Sequence, residues 1–414
     1  MERRAFFQIA GRIAAGSAVL AQRPLCAEET LAAAGRDVGT RWAAAPVLLN
    51  PASDGVCVVC ALQQPATGWV EYGETAELGQ RAEAQSNGFL AFEDKALAFR
   101  LERLRPGTTY YYRVHAVAVT FNPSGRRAER GATEVTATRS FRTLDPGAAT
   151  ARLTIWNDTH ENKATVRALA ARHREIPGDV LVWNGDVTND IVSEELLLDE
   201  YLNPGGEAFA ATVPYFLGRG NHDVRGRAAR RLGQYVPGPG GRYFHTFRQG
   251  PVACLVLDTG EDKPDATPAY AGLNDFAALR REQRAWLARA IQDPVFATAP
   301  FRIACLHIPL VWENPVPENW LKVWGGFKGW VCEDGREQWQ DLLEQAGVRL
   351  VMSGHTHTPA WFPPRAGRSF GQLIGGGPLP PQATTIRIDA DARELHFAVE
   401  NLKRKVLFQN TLKA

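Results

Sequence analysis

Five short apolar runs mark the second part of the chain: RLTIW (152–156), VLVW (180–183), YFLG (215–218), FRIACL (301–306) and RLVMS (349–353). Each is bounded by Gly, Asn or His, and a long segment separates it from the next. Runs of this kind predict strands covered by other structure. Between them, NKATVRALAARHREI, REQRAWLARAIQD and REQWQDLLEQAG repeat their apolar residues at spacings of three and four, the period of a half-buried helix. Strands alternating with helices predict an α/β domain over 150–414. Its tail, TTIRIDADARELHFAVENLKRKVLFQNT, returns to two or three strands.

Residues 40–144 carry a different pattern. VCVVCALQ, TGWVEYGE, LAFRLERL, TYYYRVHAVAV and EVTATRSFRTL are strand-like runs with Gly, Pro and Asn between them, and DPGAAT (145–150) reads as a linker. This all-β stretch resembles a fibronectin type III-like sandwich. In particular it is similar to the small domain that precedes the catalytic domain in purple acid phosphatase-like proteins, a likeness carried by LRPGTTYYYRV, WVEYGETAELG and SFRTL. The architecture alone does not assign function.

Charge removes one class of partner. The net charge is +2, but residues 1–27 hold Arg3, Arg4, Arg12 and Arg23 against Glu2, so the remainder carries −1. No basic field remains to draw nucleic acid or an anionic membrane. The first 27 residues, MERRAFFQIAGRIAAGSAVLAQRPLCA, have an arginine pair, a moderately apolar stretch and small residues, the layout of an export signal. ERRAFFQ resembles a twin-arginine signal, with Ala21 or Ala27 before the cut, and implies a periplasmic or extracellular protein. No other stretch is apolar for long enough to span a membrane, so the mature chain is expected to have no span. Of six cysteines, Cys57 and Cys60 are three apart in a strand, hence on opposite faces, and are expected in the core rather than on a shared metal.

Each of the five apolar runs leads into metal-type ligands: Asp158 and His160 in NDTH, Asp186 in NGDVTND, Asn221 and His222 in GRGNHD, His307, and His355 with His357 in GHTH. In α/β sheets, ligands gather beyond the carboxyl ends of the strands, so five strand ends can deliver these groups to one place. Imidazole and carboxylate suit zinc, iron and manganese, and one ion takes only about four to six ligands. Seven donors with one shared carboxylate suit two ions, which together can clamp a phosphoryl group and the oxygen that attacks it.

The order Asp-x-His, Gly-Asp, Gly-Asn-His-Asp, His and Gly-His-x-His resembles that of the calcineurin-like metallophosphoesterases. The resemblance implies an α/β (α+β) β-sandwich flanked by helices and preceded by the all-β domain. It also implies two divalent or mixed-valence ions (Mn, Fe or Zn) and hydrolysis of small phosphate mono- or diesters without a covalent intermediate. Asp158, His160 and His357 would hold the first ion, Asn221, His307 and His355 the second, with Asp186 bridging. His222 would protonate the leaving oxygen, and Asp223 would orient its loop. Purple acid phosphatases carry a colour-giving tyrosine three residues after the bridging aspartate. That position is Asn189 here, so a colourless protein is expected, with Asp190 as the group that orients His222. A nuclease or cyclic-nucleotide phosphodiesterase of the same superfamily, or a non-catalytic cell-envelope binding protein, is the alternative.

Four tryptophans, Trp312, Trp320, Trp324 and Trp330, fall in the long segment after His307. A loop over 311–332 rich in tryptophan predicts either an apolar wall over the site or a satellite core.

Overall fold

The computed structural model describes residues 42–318, 320 and 327–414. The export-signal expectation, residues 1–27, and Trp324 lie outside them.

All five expected strands form: Ala151–Trp156, Val180–Asn184, Tyr215–Gly218, Phe301–Leu306 and Val348–Ser353. They divide between two sheets. The first three are parallel neighbours in a nine-stranded sheet, and the last two are parallel neighbours in a six-stranded one. The sheets face each other across a core that includes Leu153, Ile155, Val180, Val182, Val256, Ile303, Cys305, Leu350 and Met352. Residues of opposite parity point outward. Trp156, Leu181 and Trp183 pack with Val166 and Leu169 of helix Lys163–Glu175. On the other side Leu255, Leu306 and Val351 pack with Leu287 and Trp339 of helices Phe276–Ala290 and Glu333–Gln345. Covering on both faces explains why these strands read as continuous apolar runs. The molecule is thus a β-sandwich flanked by helices, with an all-β N-terminal region.

Local signals set the helix starts. The Asn162 side chain accepts from Thr165 N at 3.0 Å, and the Asp275 side chain from Ala278 N at 3.3 Å, each satisfying an N–H that the helix leaves unpaired. The tail forms three antiparallel strands, Thr384–Ala390, Glu394–Asn401 and Val406–Lys413, which extend the nine-stranded sheet beside Ala151–Trp156.

At the other edge of that sheet, Val47–Leu49 pairs in parallel with Tyr215–Gly218, followed outward by Gly55–Ala61 and Ala96–Glu102. These N-terminal strands therefore serve two cores. Val56, Val58 and Cys60 face a small sandwich closed by Ala66–Gly73 and Thr109–Phe121, while Cys57, Val59 and Ala61 face the helical layer. Cys57 and Cys60 are buried, free and on opposite faces. Among the described residues no helix is long and apolar enough to cross a membrane.

Candidate metal centre

The strand ends converge as the sequence predicts. Asp158, His160, Asp186, Asn221, His307, His355 and His357 lie at one end of the sandwich. Asp158, Asp186, Asn221, His307 and His355 are buried, and His357 is the most open. Reaching this arrangement bends the backbone. Asp158, His160, Asp186, His355 and His357 all have positive φ, between 41° and 69°. Non-glycine residues adopt that region at a cost of about 1–3 kcal/mol each, and such strain collects at functional sites. Close approach also dictates two glycines of the motifs. A Cβ at Gly354 would sit 2.1 Å from Asp158 Oδ2, and one at Gly185 would sit 2.4 Å from His307 Nδ1.

The hydrogen bonds decide which nitrogen each imidazole presents. His307 Nδ1–H donates to the Asn184 carbonyl at 2.8 Å, so Nε2 is the nitrogen turned toward the carboxylates. That Nε2 is buried without a hydrogen-bond partner. The groups near it are carboxylate oxygens, Asp186 Oδ2 at 3.1 Å and Asp158 Oδ1 at 3.8 Å. His355 Nε2–H donates to the Gly329 carbonyl at 2.9 Å, which leaves Nδ1 facing Asn221 Oδ1, also at 2.9 Å. His160 Nε2 and His357 Nε2 stand 3.1 Å apart. Imidazole nitrogens, carboxylates and an amide oxygen that converge in this way call for positive charge among them, and besides ring protons, divalent ions are what such sets take. The donor set therefore fits metal.

Asp158, His160 and His357 form one grouping, and Asp186, His307 and His355 another, with ligand atoms within 4.8 Å of one another. Asp186 also groups with His160 and His222, which puts it between the two sets, as a bridging carboxylate requires. Two backbone N–H groups hold the carboxylates in place: His355 N donates to Asp158 Oδ1 at 2.9 Å, and His222 N to Asp186 Oδ1 at 2.8 Å.

The electrostatics carry the same message. Burial pushes the Asp186 carboxyl up, but His307, His222 and His160 outweigh it and hold it well below the usual range. Burial likewise pushes His307 down, yet the carboxylates of Asp186 and Asp158 overcome it and hold the ring at about 10. His355 is taken down to about 4 by burial and by the His307 charge. An imidazole held up so far in a dry site reports a strong negative field, which cations among these groups would answer.

His222 differs from the other histidines. Its Nδ1–H donates to the Asn189 backbone carbonyl in a very short contact. Arg225 Nη1 lies 3.3 Å from Nδ1 and 3.1 Å from Nε2, so the guanidinium braces the ring. Burial, reinforced by Arg225 and opposed by Asp186, takes His222 down to about 4. Asp190, expected to orient this ring, is exposed, and no hydrogen bond joins its side chain to His222 among the described residues. The Asn189 carbonyl fills that place. The Asn189 side chain faces the other way, its Oδ1 3.2 Å from His160 Nδ1. Asp223 accepts from Asp186 N, Val187 N, Gly220 N and Tyr201 Oη at 2.6–3.0 Å, and so locks the loops carrying Asp186 and His222.

Arg225, Glu261 and Asp262 escaped the sequence reading as site residues. Arg225 Nε and Nη2 bind Glu261 at 2.8 and 2.7 Å, and Nη2 also reaches Asp262 at 2.6 Å. GED follows an apolar strand in the sequence, a faint signal; nothing local pairs it with an arginine 36 residues earlier. Asp258 pairs with Arg219 at 2.6 Å.

The tryptophan segment divides. Trp312 and Trp330 join Ala360, Phe362 and Ile374 in a satellite core, while Pro317, Trp320 and Trp330 line the cavity beside His355 and His222.

The calcineurin-like phosphoesterase family model matches residues 151–359. A purple acid phosphatase isolated from yellow lupin (Lupinus luteus) seeds superposes with a TM-score of 0.63 at 15% identity, over 89% of this chain and 74% of that one. PhoD superposes with a TM-score of 0.56 at 13% identity, over 90% of this chain and 89% of that one. No curated protein matches the sequence. At these identities the two structures speak for the fold, whereas the family match spans every strand end described above. With its helix-flanked sandwich and metal-fitting donor groups, the chain belongs to the calcineurin-like phosphoesterase family, whose members work with a dinuclear metal centre.

Proposed function

We propose that this protein is an exported dinuclear metallophosphoesterase that hydrolyses small phosphate mono- or diesters. The observation that carries the reading is the convergence of Asp158, His160 and His357, and of Asp186, His307 and His355, with ligand atoms in each group within 4.8 Å of one another. Asp158, His160 and His357 would hold one ion, Asn221, His307 and His355 the other, with Asp186 between them. When bound, the pair supplies Lewis acidity and an activated water at neutral pH.

The chain's own residues do the rest. Asp223 fixes the two loops so that Asp186 and His222 keep their separation. The Asn189 carbonyl holds Nδ1 of His222, so Nε2 is the nitrogen through which the ring, once protonated, would pass a proton to the leaving oxygen. Arg225, held by Glu261 and Asp262, keeps that ring from rotating. Asn189 in place of a tyrosine leaves no phenolate for iron, which supports a colourless protein. Residues 40–144 are read as a fibronectin type III-like module on the edge of the 150–414 catalytic domain, and residues 1–27 as a twin-arginine signal.

A panel of phosphate mono- and diesters, assayed with Mn, Fe and Zn in turn, tests this. Turnover of at least one ester class that a chelator abolishes and metal restores is expected. Failure on every ester with every metal overturns the reading.

A further inference from the structure

Resting on the phosphoesterase reading, we propose that the ester accepted here has an aromatic leaving alcohol, its ring packed against Trp320 and Trp330. The cavity at the metal groups measures about 320 Å³, room for a phosphoryl group and one ring system. Its lining is of two kinds: the donor groups Asp186, Asn221, His355 and His357, and the apolar Pro317, Trp320 and Trp330.

Three observations select the ring. Trp320 stands edge-on to His355 with centroids 5.6 Å apart, so the indole lies directly against one of the groups read as a metal ligand. A ring meeting it must therefore lie within the first few atoms of the leaving group, as in an aryl ester, and not at the end of a long alkyl chain. The wall is also held from behind. Trp330 packs on Trp320 at 4.8 Å and on Trp312 at 5.3 Å, and Trp312 packs on Phe362 at 5.5 Å. A supported aromatic face offers edge and stacking contacts at little ordering cost. Finally, Asp262, a carboxylate of the cavity lining beyond the donor set, is already matched by Arg225 at 2.6 Å and Lys263 at 2.7 Å. Among the described lining residues it is therefore not free to select an ammonium-bearing alcohol in place of a neutral ring.

The test is calorimetric binding of inorganic phosphate and of methyl-, cyclohexyl- and phenylphosphonate to the metal-loaded full chain. None of the four can turn over. Phenylphosphonate is expected to bind about tenfold tighter than methylphosphonate and severalfold tighter than cyclohexylphosphonate, the scale of an aromatic contact added to apolar burial. Trp320→Ala should lower the phenyl-to-methyl affinity ratio to near one, and Trp320→Phe should keep most of it. Equal affinity for the three phosphonates overturns the proposal. So does a Trp320→Ala effect that weakens phosphate and every phosphonate by one factor, since the indole would then only support His355. If phosphate itself fails to bind, the phosphoesterase reading falls first; if phosphate binds without a ring preference, this inference alone falls.

Discussion

The donor side and the tryptophan side of the cavity hold their groups by different means. On the donor side, each ligand follows a buried strand by a few residues, and backbone groups fix its direction: the Asn184 carbonyl for His307, His355 N for Asp158, His222 N for Asp186. Strained backbone at five of the seven positions is tolerated because two sheets and their core clamp it on both sides. The tryptophan side stands on side-chain packing in a small satellite cluster and meets the donors at few points, among them the Gly329 carbonyl on His355 and the Trp320 ring beside it. A rigid frame suits charge that must be placed to a fraction of an ångström, while a packed loop suits a surface that only has to match a leaving group. The donor side should therefore answer substitution with loss of metal and turnover, and the tryptophan side with altered preference.

The largest effect is expected at the shared carboxylate. Asp186→Asn should lower kcat by several orders of magnitude and the metal content below that of the wild type, read by elemental analysis of purified protein. Next comes His222→Ala. Metal content should hold while kcat falls about 10²- to 10⁴-fold on poor leaving groups, with a smaller loss on good ones. An equal loss on both would remove the acid role.

Arg225 sharpens the contrast, because it reaches the site from outside the donor set. Arg225→Lys cannot keep the two-pronged grip on Glu261 while bracing His222. It should lower kcat about 10- to 100-fold with little change in KM. Full recovery in the lysine variant would reduce Arg225 to a packing residue.

The smallest effect lies away from the cavity and concerns stability. His245 is buried against Phe216, and burial takes it down to about 3 from an unfolded value near 6.5. Above pH 6.5 both forms are neutral and the group adds no pH dependence. Below it the unfolded chain takes up a proton that the folded chain resists, so stability falls by about 1.4 kcal/mol per pH unit until the folded value is approached. His245→Phe should flatten this part of the acid unfolding curve; an unchanged curve would show that His245 accepts its proton in the folded state.

The donor side was legible in the sequence because its signals are local. An apolar run ending in NDTH or GHTH announces strand and ligand together. What escaped notice depends on contacts between distant residues. Alternating strands and helices do not reveal that the five strands split between two sheets, nor that Val47–Leu49 continues one of them. The orientation of His222 falls to a backbone carbonyl of Asn189, a group that every residue carries and no motif marks. A carboxylate at Asp190 was the visible candidate, yet its side chain is exposed. The tryptophan segment offered a wall and a satellite core as rivals; Trp312 belongs to the core, while Trp320 and Trp330 both line the cavity and pack with that core.

Anomalous scattering from crystals of the metal-loaded protein tests the central claim most directly. Two peaks about 3.5–4 Å apart are expected, one against Asp158, His160 and His357, the other against Asn221, His307 and His355, with Asp186 touching both. A single peak, or two that do not share Asp186, would contradict the account.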